Sequence, residues 1–468
     1  MTRYLIFLLI CNISLIFHLY AQRDRISFER ISIEQGISQS TITSICQDSR
    51  GFIWFGTYDG LNRYDGLNFK VYKYNQDDPN TISHNSISYI YEDQHGNLWV
   101  GTYGGGLNLF DKDKENFHRF QNNPDDNASL SNDVIRCIYE DQFGALWFGT
   151  WGGGLERLDR KTNKFIHYRH KPGDSNSLID NRIASIGEDR SGMLWLATAA
   201  GVCKFDPKRN QYYHYKHDPG NLFSISSNDV SKVYVDPSDN VWIGTWGGGL
   251  NLFDRGKEEF IRYQNDPLDL NSISNNIIRT LYTDRSGHLL IGTWGGGLDI
   301  FDQERNRFIH FQNNPTDPTS ISGNFIYSIY IDRTDILWIG TDYMGLNKFD
   351  QQKQKFIHYK HDPKNKNSLS HNTVFSICQD KKGIIWLGTG GGLSRFDPEK
   401  EKFAHYKQEY GNNKSLSNNV VKDICEDRSG MIWIATEIGL NQFNPNTGQF
   451  IRYLPDPDDS TSLSFHNV

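Results

Sequence analysis

Residues 134–170 read VIRCIYEDQFGALWFGTWGGGLERLDRKTNKFIHYRH. Four short stretches carry the apolar residues: VIRCIYED (134–141), ALWFGT (145–150), GLERLD (154–159) and KFIHYRH (164–170). Between the first two, Asp141-Gln-Phe-Gly144 has the make-up of a tight turn. Its aspartate can accept backbone N–H bonds and its glycine supplies a left-handed position. None of the four has the three-and-four spacing of an amphipathic helix. The first two are apolar on both faces, as a strand must be when its sheet is packed between neighbours. The stretch predicts one antiparallel sheet of four short strands, A to D.

The unit recurs along the chain. Trp54, Trp99, Trp147, Trp195, Trp242, Leu290, Trp338, Trp386 and Trp433 follow one another at intervals of 45, 48, 48, 47, 48, 48, 48 and 47 residues. Six residues before each stands an aspartate, from Asp48 to Asp427, and three residues after each a threonine, from Thr57 to Thr436. A glycine two residues after each anchor, replaced by Ala197 and Ala435 in two units, fits close approach of an adjacent sheet. Four strands per unit, repeated nine times, predict an all-β chain: a β-propeller of four-stranded antiparallel blades. Propellers have ~4–8 blades, so a seven-bladed ring plus an incomplete second ring is expected rather than one ring of nine. The strand ISFER (26–30) would complete the blade at roughly 325–350, and FIHYKH (356–361) would open the second ring in the same way. The expected division is 22–352 for the first propeller and 353–468 for the start of a second, with two blades and a partial repeat. The tail 450–468 reads as a strand D and loop that stops inside a repeat.

Aromatic residues make up 13% of the 468 and glycine contributes 42, while Lys+Arg minus Asp+Glu is 49 − 56 = −7. That composition excludes collagen and a coiled coil and argues against disorder, and the acidic balance argues against nucleic acid as a partner. Residues 1–21, MTRYLIFLLICNISLIFHLYA, have one positive charge, an apolar core and a small residue at the expected cut, so they read as a signal peptide and the mature chain as exported or periplasmic. The five cysteines beyond it (Cys46, Cys137, Cys203, Cys378 and Cys425) are too widely spaced for a disulfide framework and read as small buried residues on strands.

A residue found in every unit is most economically structural, so recognition is expected where the units differ. His167/His170, His214/His217 and His358/His361 are three apart and point to opposite faces of a strand, which suits no metal site. The acidic stretches 122–127 and 456–460 lack an EF-hand pattern and read as solvated loops. Glu156 replaces the asparagine seen at Asn108 and Asn251 but has no evident partner for glycosidase chemistry. The B–C hairpins are the most informative. Five are long: Tyr103-Gly-Gly-Gly106, Trp151-Gly-Gly-Gly154, Trp246-Gly-Gly-Gly249, Trp294-Gly-Gly-Gly297 and Asp342-Tyr343-Met344-Gly345. The other four, beginning with Tyr58-Asp59, are short. Glycines free the backbone to approach a partner closely, and an aromatic offers a π face on which sugar C–H groups stack. Tyr58, Tyr103, Trp151, Trp246, Trp294 and Tyr343 are therefore the candidate ligand-binding residues. The competing reading has these rings wedged between blades as packing.

GNLWVGTYGGGLNLFD (96–111), GALWFGTWGGGLERLD (144–159), SLSNDVIRCIYED (129–141) and GFIWFGTYDGLNRYDGLNFKVY (51–72) resemble the two-component regulator propeller repeat, and the resemblance extends over residues 26–468. It implies the periplasmic sensor region of a hybrid histidine-kinase system, often one that detects polysaccharides. It also implies a small extracellular ligand, such as an oligosaccharide, and a histidine kinase module in cis or in trans. A homodimer is compatible with it. Kinase glycine boxes and a phospho-accepting histidine motif are absent from these residues, so signalling output is expected on other sequence and the chain is not expected to be an enzyme. No cofactor is implied. A protein-interaction scaffold and, less favoured, a propeller glycosidase or lyase are the alternatives.

Overall fold

The computed structural model describes residues 27–350, 359–398, 400–459 and 461–463. The expected leader at 1–21 and the start of the FIHYKH segment lie outside the described residues. Nine four-stranded antiparallel sheets account for the described strands, and the helical content is one 3-10 turn, Ile33–Gln35. The fold is all-β. The described residues fall into two compact units dividing at residues 355–356.

The first unit holds seven sheets. Six are sequential meanders, and in the one built on Ile135–Glu140, Ile135 pairs with Thr150 and Glu140 with Leu146. The seventh is composite: Glu29–Ile31 pairs antiparallel with Leu346–Phe349, placing Arg30 opposite Asn347. Phe28 packs on Phe349 with ring centroids 5.6 Å apart, and its N–H donates to the Thr319 carbonyl at 2.7 Å. The first and last stretches of this unit thus share one sheet, and the inner strands Ile42–Gln47 and Ile326–Ile331 lie side by side to close the ring.

In the first unit each anchor tryptophan is buried against the next sheet along. Trp147 clusters with Ile183, Leu194 and Phe205, and Trp338 with Ile42 and Phe55 across the closure. The recurring aspartate does more than cap its turn. Asp141 Oδ1 accepts the N–H groups of Phe143 and Ala145, both at 2.9 Å, while Oδ2 accepts the Trp147 indole N–H at 2.8 Å. Where aspartate replaces the turn glycine, Asp239 and Asp335 take the left-handed conformation themselves (φ 71° and 65°). The recurring threonine is fully buried and ties the B–C hairpin: Thr150 Oγ1 donates to the Gly154 carbonyl at 2.9 Å. A Cβ at Gly149 would meet Cys137 Sγ at 2.4 Å and Ile183 Cγ2, on the next sheet, at 2.8 Å.

The second unit contains two sheets, at 374–406 and 421–453, joined by a core that includes Trp386, Val421, Ile434 and Phe443. The cysteines do not share one environment. Cys137 and Cys203 are buried and Cys46 and Cys378 partly so, but Cys425 is exposed, contrary to the sequence expectation. It lies on Val421–Glu426, an inner strand that among the described residues packs against the preceding sheet.

Candidate functional site

The seven inner strands of the first unit surround a central cavity of about 480 Å³. Because each inner strand begins opposite the end of strand B, its first residues lie at the B–C hairpin end. Five of the six candidate aromatics are gathered there. Tyr58 and Tyr103 have centroids 5.8 Å apart, and their hydroxyls meet that of Tyr327 at 2.9 and 3.1 Å. Tyr327 is 6.0 Å from Trp294, which is 5.9 Å from Trp246. Trp151 joins through Arg136, whose guanidinium lies 5.1 Å from its ring and 5.2 Å from that of Tyr103. Tyr343 stands apart, 69% exposed with φ 62°, its N–H directed at Thr41 Oγ1.

The rings differ in how far neighbours cover them. Tyr103 and Trp294 are partly covered by neighbours, whereas Tyr58, Trp151 and Trp246 remain 40–42% exposed. The triple glycines also bring the hairpin close to the neighbouring loop. Gly152 and Gly154 both donate to the Asn181 carbonyl of the next blade's loop, at 3.1 and 2.9 Å. A Cβ on Gly153 would sit 2.0 Å from Ser131 Oγ.

Sequence reasoning missed Tyr327, Arg136, Lys232 and Arg279. All four line the cavity from the start of inner strands. Arg279 lies 4.1 Å from the Tyr327 ring centroid, and Arg136 Nη1 donates to the Tyr103 hydroxyl at 3.0 Å. Burial pushes the Tyr103 phenol up to about 12, and burial likewise raises Tyr58 and Tyr327, so all three keep their protons and can donate them. At the other end of the same strands the lining is different: Tyr91, Tyr139, Tyr234, Tyr282 and Tyr330 with Glu92 and Glu188.

Glu156 is not solitary. It is buried on Leu155–Asp159, where it accepts from Ser131 Oγ and contacts His167 Nδ1. Asp299 and His310 repeat that pairing at 2.7 Å, and at the matching place Asn108 holds the Ser83 N–H at 2.9 Å. This position braces the D–A loop. The second histidine of each pair does similar work: His170 and His217 contact the carbonyls of Leu178 and Ile225 at 2.6 and 2.8 Å. In the acidic stretch 122–127, Asp126 accepts the Ala128 N–H within its own loop.

A closed ring of four-stranded sheets, keyed together by one apolar anchor, tryptophan in all but one repeat, and one aspartate per repeat, defines the class: a β-propeller. A family model for the two component regulator propeller matches residues 36–59, 81–104, 129–152, 224–247, 320–343, 368–391 and 415–437. The chain is built of two-component regulator propeller repeats. It is 28% identical to the extracellular domain of the putative hybrid two component system BT3049 from B. thetaiotaomicron, over 92% of this chain and 55% of that one, with a TM-score of 0.68. The corresponding domain of BT4673 from the same organism shares the fold at 24% identity and TM-score 0.57, covering 92% of this chain and 54% of that. Histidine kinase P4 of Formosa agariphila is 43% identical over 65 residues, 14% of this chain and 5% of that protein. The chain thus spans about half the length of the solved domains and a small part of the kinase.

Proposed function

We propose that this chain is the ligand-sensing propeller region of an exported two-component receptor, and that it binds a small carbohydrate at the B–C hairpin mouth of its seven-sheet ring. The observation that carries this reading is the convergence of Tyr58, Tyr103, Trp151, Trp246 and Trp294 from five different sheets on one cavity mouth, with three of the rings still open to solvent. Flat, amphipathic faces beside phenol donors suit the C–H and hydroxyl groups of a pyranose. The similarity to extracellular domains of hybrid two-component systems supports the sensor role, with residues 1–21 directing export and a histidine kinase, in cis or in trans, as the partner. In the same reading 22–352 form the first propeller and 353–468 begin a second, and the receptor signals as a homodimer. Binding would shift an existing conformational equilibrium rather than transform the ligand.

The test is a panel of oligosaccharides screened by thermal shift and isothermal calorimetry. A binding sugar raises the melting temperature, and Trp246→Ala weakens it by about tenfold or more, the loss expected for one stacked ring. If no glycan stabilises the chain, the carbohydrate reading fails.

A further inference from the structure

The cavity mouth carries a charge pattern that stacking on a neutral sugar does not require. Arg136, Lys232 and Arg279 all reach the cavity from the start of inner strands, at 135–140, 230–235 and 278–283. Among the described residues, none of the three is in an ion pair. Of the carboxylates near this end, Asp180 pairs with Arg182 at 2.8 Å, Asp133 accepts the Asn122 N–H, Asp342, which feels the Arg279 charge, accepts from Thr41 Oγ1 at 3.0 Å, and Asp229 is exposed and acts on Arg182. The carboxylates that line the cavity, Glu92 and Glu188, lie at the opposite end of their strands, about 13 Å away at ~3.3 Å per residue. Arg136 meets Tyr103 through Nη1, but its buried Nε has no hydrogen-bond partner.

Holding three cations together in a half-buried cavity without counter-charge costs stability. Burial and the nearby Arg279 both push the Lys232 ammonium down from its ordinary value. The cluster is no by-product of a basic surface either, since the chain has a net charge of −7. Such an arrangement is retained where an anion completes it.

We infer that the mouth of the first-unit cavity binds an anionic group, a carboxylate or a sulfate ester, carried by the sugar that the aromatic rings receive. This rests on the carbohydrate reading above and narrows it to acidic oligosaccharides. Arg136 and Arg279 supply planar, forked donors suited to either group, Lys232 a point charge between them, and Tyr58, Tyr103 and Tyr327 neutral donors around the rim.

The experiment is calorimetry on the full chain with four probes: a uronate-containing disaccharide, a sulfated disaccharide, a neutral disaccharide of the same linkage, and inorganic sulfate. At least one acidic disaccharide should bind about tenfold or more tightly than the neutral one, as expected for charge-assisted hydrogen bonds. Its affinity should fall as salt rises, since the mouth is open to solvent. Arg279→Gln and Lys232→Met should each weaken it by a similar factor while leaving the melting temperature unchanged or a few degrees higher, because each removes an uncompensated charge. Trp246→Ala should weaken acidic and neutral sugars alike. Equal affinity for neutral and acidic sugars would discard the anion site and keep the carbohydrate reading. Sulfate binding that Arg279→Gln abolishes, with no sugar bound, would keep the anion site and discard the carbohydrate reading. Failure of all four probes to bind the folded chain overturns both.

Discussion

His288 Nδ1 lies 2.9 Å from Asp284 Oδ2, in the one repeat whose anchor is Leu290 rather than tryptophan. In the other eight repeats that carboxylate oxygen accepts an indole N–H, at 2.8–3.0 Å. The imidazole therefore supplies, from two residues earlier and just before the strand, the donor that the leucine lacks. What every repeat preserves is a carboxylate, buried in seven of the nine, with both oxygens engaged: one on the turn backbone, the other on a ring N–H. Leaving that second oxygen without a donor would cost about 1–3 kcal/mol.

The exchange gives this sheet a pH-sensitive contact at its first turn. The hydrogen bond to Asp284 raises the His288 pKa above its ordinary value, so the contact stabilises the fold most fully below about pH 6.5. That contribution is lost as pH rises through the raised folded-state value. His288→Leu should destabilise the chain by about 1–2 kcal/mol at pH 5.5 and distinctly less at pH 9, read from urea midpoints at the two pH values. An equal penalty at both would show that the charged form plays no part.

Packing between sheets is as tight as the glycine after each anchor indicates. Gly149→Ala would drive a methyl group into Ile183 and Cys137 and should cost about 1–3 kcal/mol. Cys137 Sγ is the atom such a methyl would meet first, so the double variant Gly149→Ala with Cys137→Ala should recover part of the loss in a denaturation series. Strict additivity of the two single changes would contradict a direct clash.

These examples separate what the sequence displays from what it conceals. The nine aspartates, eight tryptophans and seven glycines are visible because repetition marks them, and repetition also exposes the strands and turns. The indole–carboxylate bond was not legible, because a spacing of six around a turn does not reveal that two side chains meet. Arg136, Arg279 and Tyr327 escaped for the opposite reason. Their position is occupied in chain order by Thr43, Ser88, Arg136, Ala184, Ser231, Arg279 and Tyr327, so no pattern draws the eye. That variability, at the start of a strand whose other residues recur, was the available signal. The Glu156–His167 brace could also have been found by aligning strands C and D. Asn108 there faces Arg119, whereas Glu156 faces His167 and Asp299 faces His310.

Cysteine reactivity should report two environments, buried and exposed. Burial pushes the thiols of Cys137 and Cys203 up to about 12, leaving almost no thiolate at pH 8. Cys425 is exposed. Treated with a thiol reagent under native conditions, the chain should label rapidly at Cys425, while Cys137 and Cys203 react only on unfolding. Peptide mapping of the labelled chain distinguishes them, and fast native labelling of Cys137 would mean that the third and fourth sheets separate readily.

Closure of the ring depends on a very short strand, and that makes it the most economical place to test the architecture. Glu29–Ile31 contributes three residues to its sheet, yet Phe28 and Ile31 are both buried, and Arg30 reaches across to the Ser320 carbonyl at 3.0–3.1 Å. Burial of Phe28 against Phe349, Ile326 and Ile339 is what holds the segment down. Phe28→Ala should cost about 3–5 kcal/mol, the range for emptying a buried aromatic site. A surface change such as Leu67→Ala, at a residue 86% exposed, should cost under about 0.5 kcal/mol. Hydrogen exchange gives the sharper readout, because a detached first strand uncovers the amides of Leu346–Phe349 while the sheets at 135–168 and 183–215 stay protected. Uniform loss of protection around all seven sheets would instead mean that the ring unfolds as one unit and that the strand is not its weakest seam.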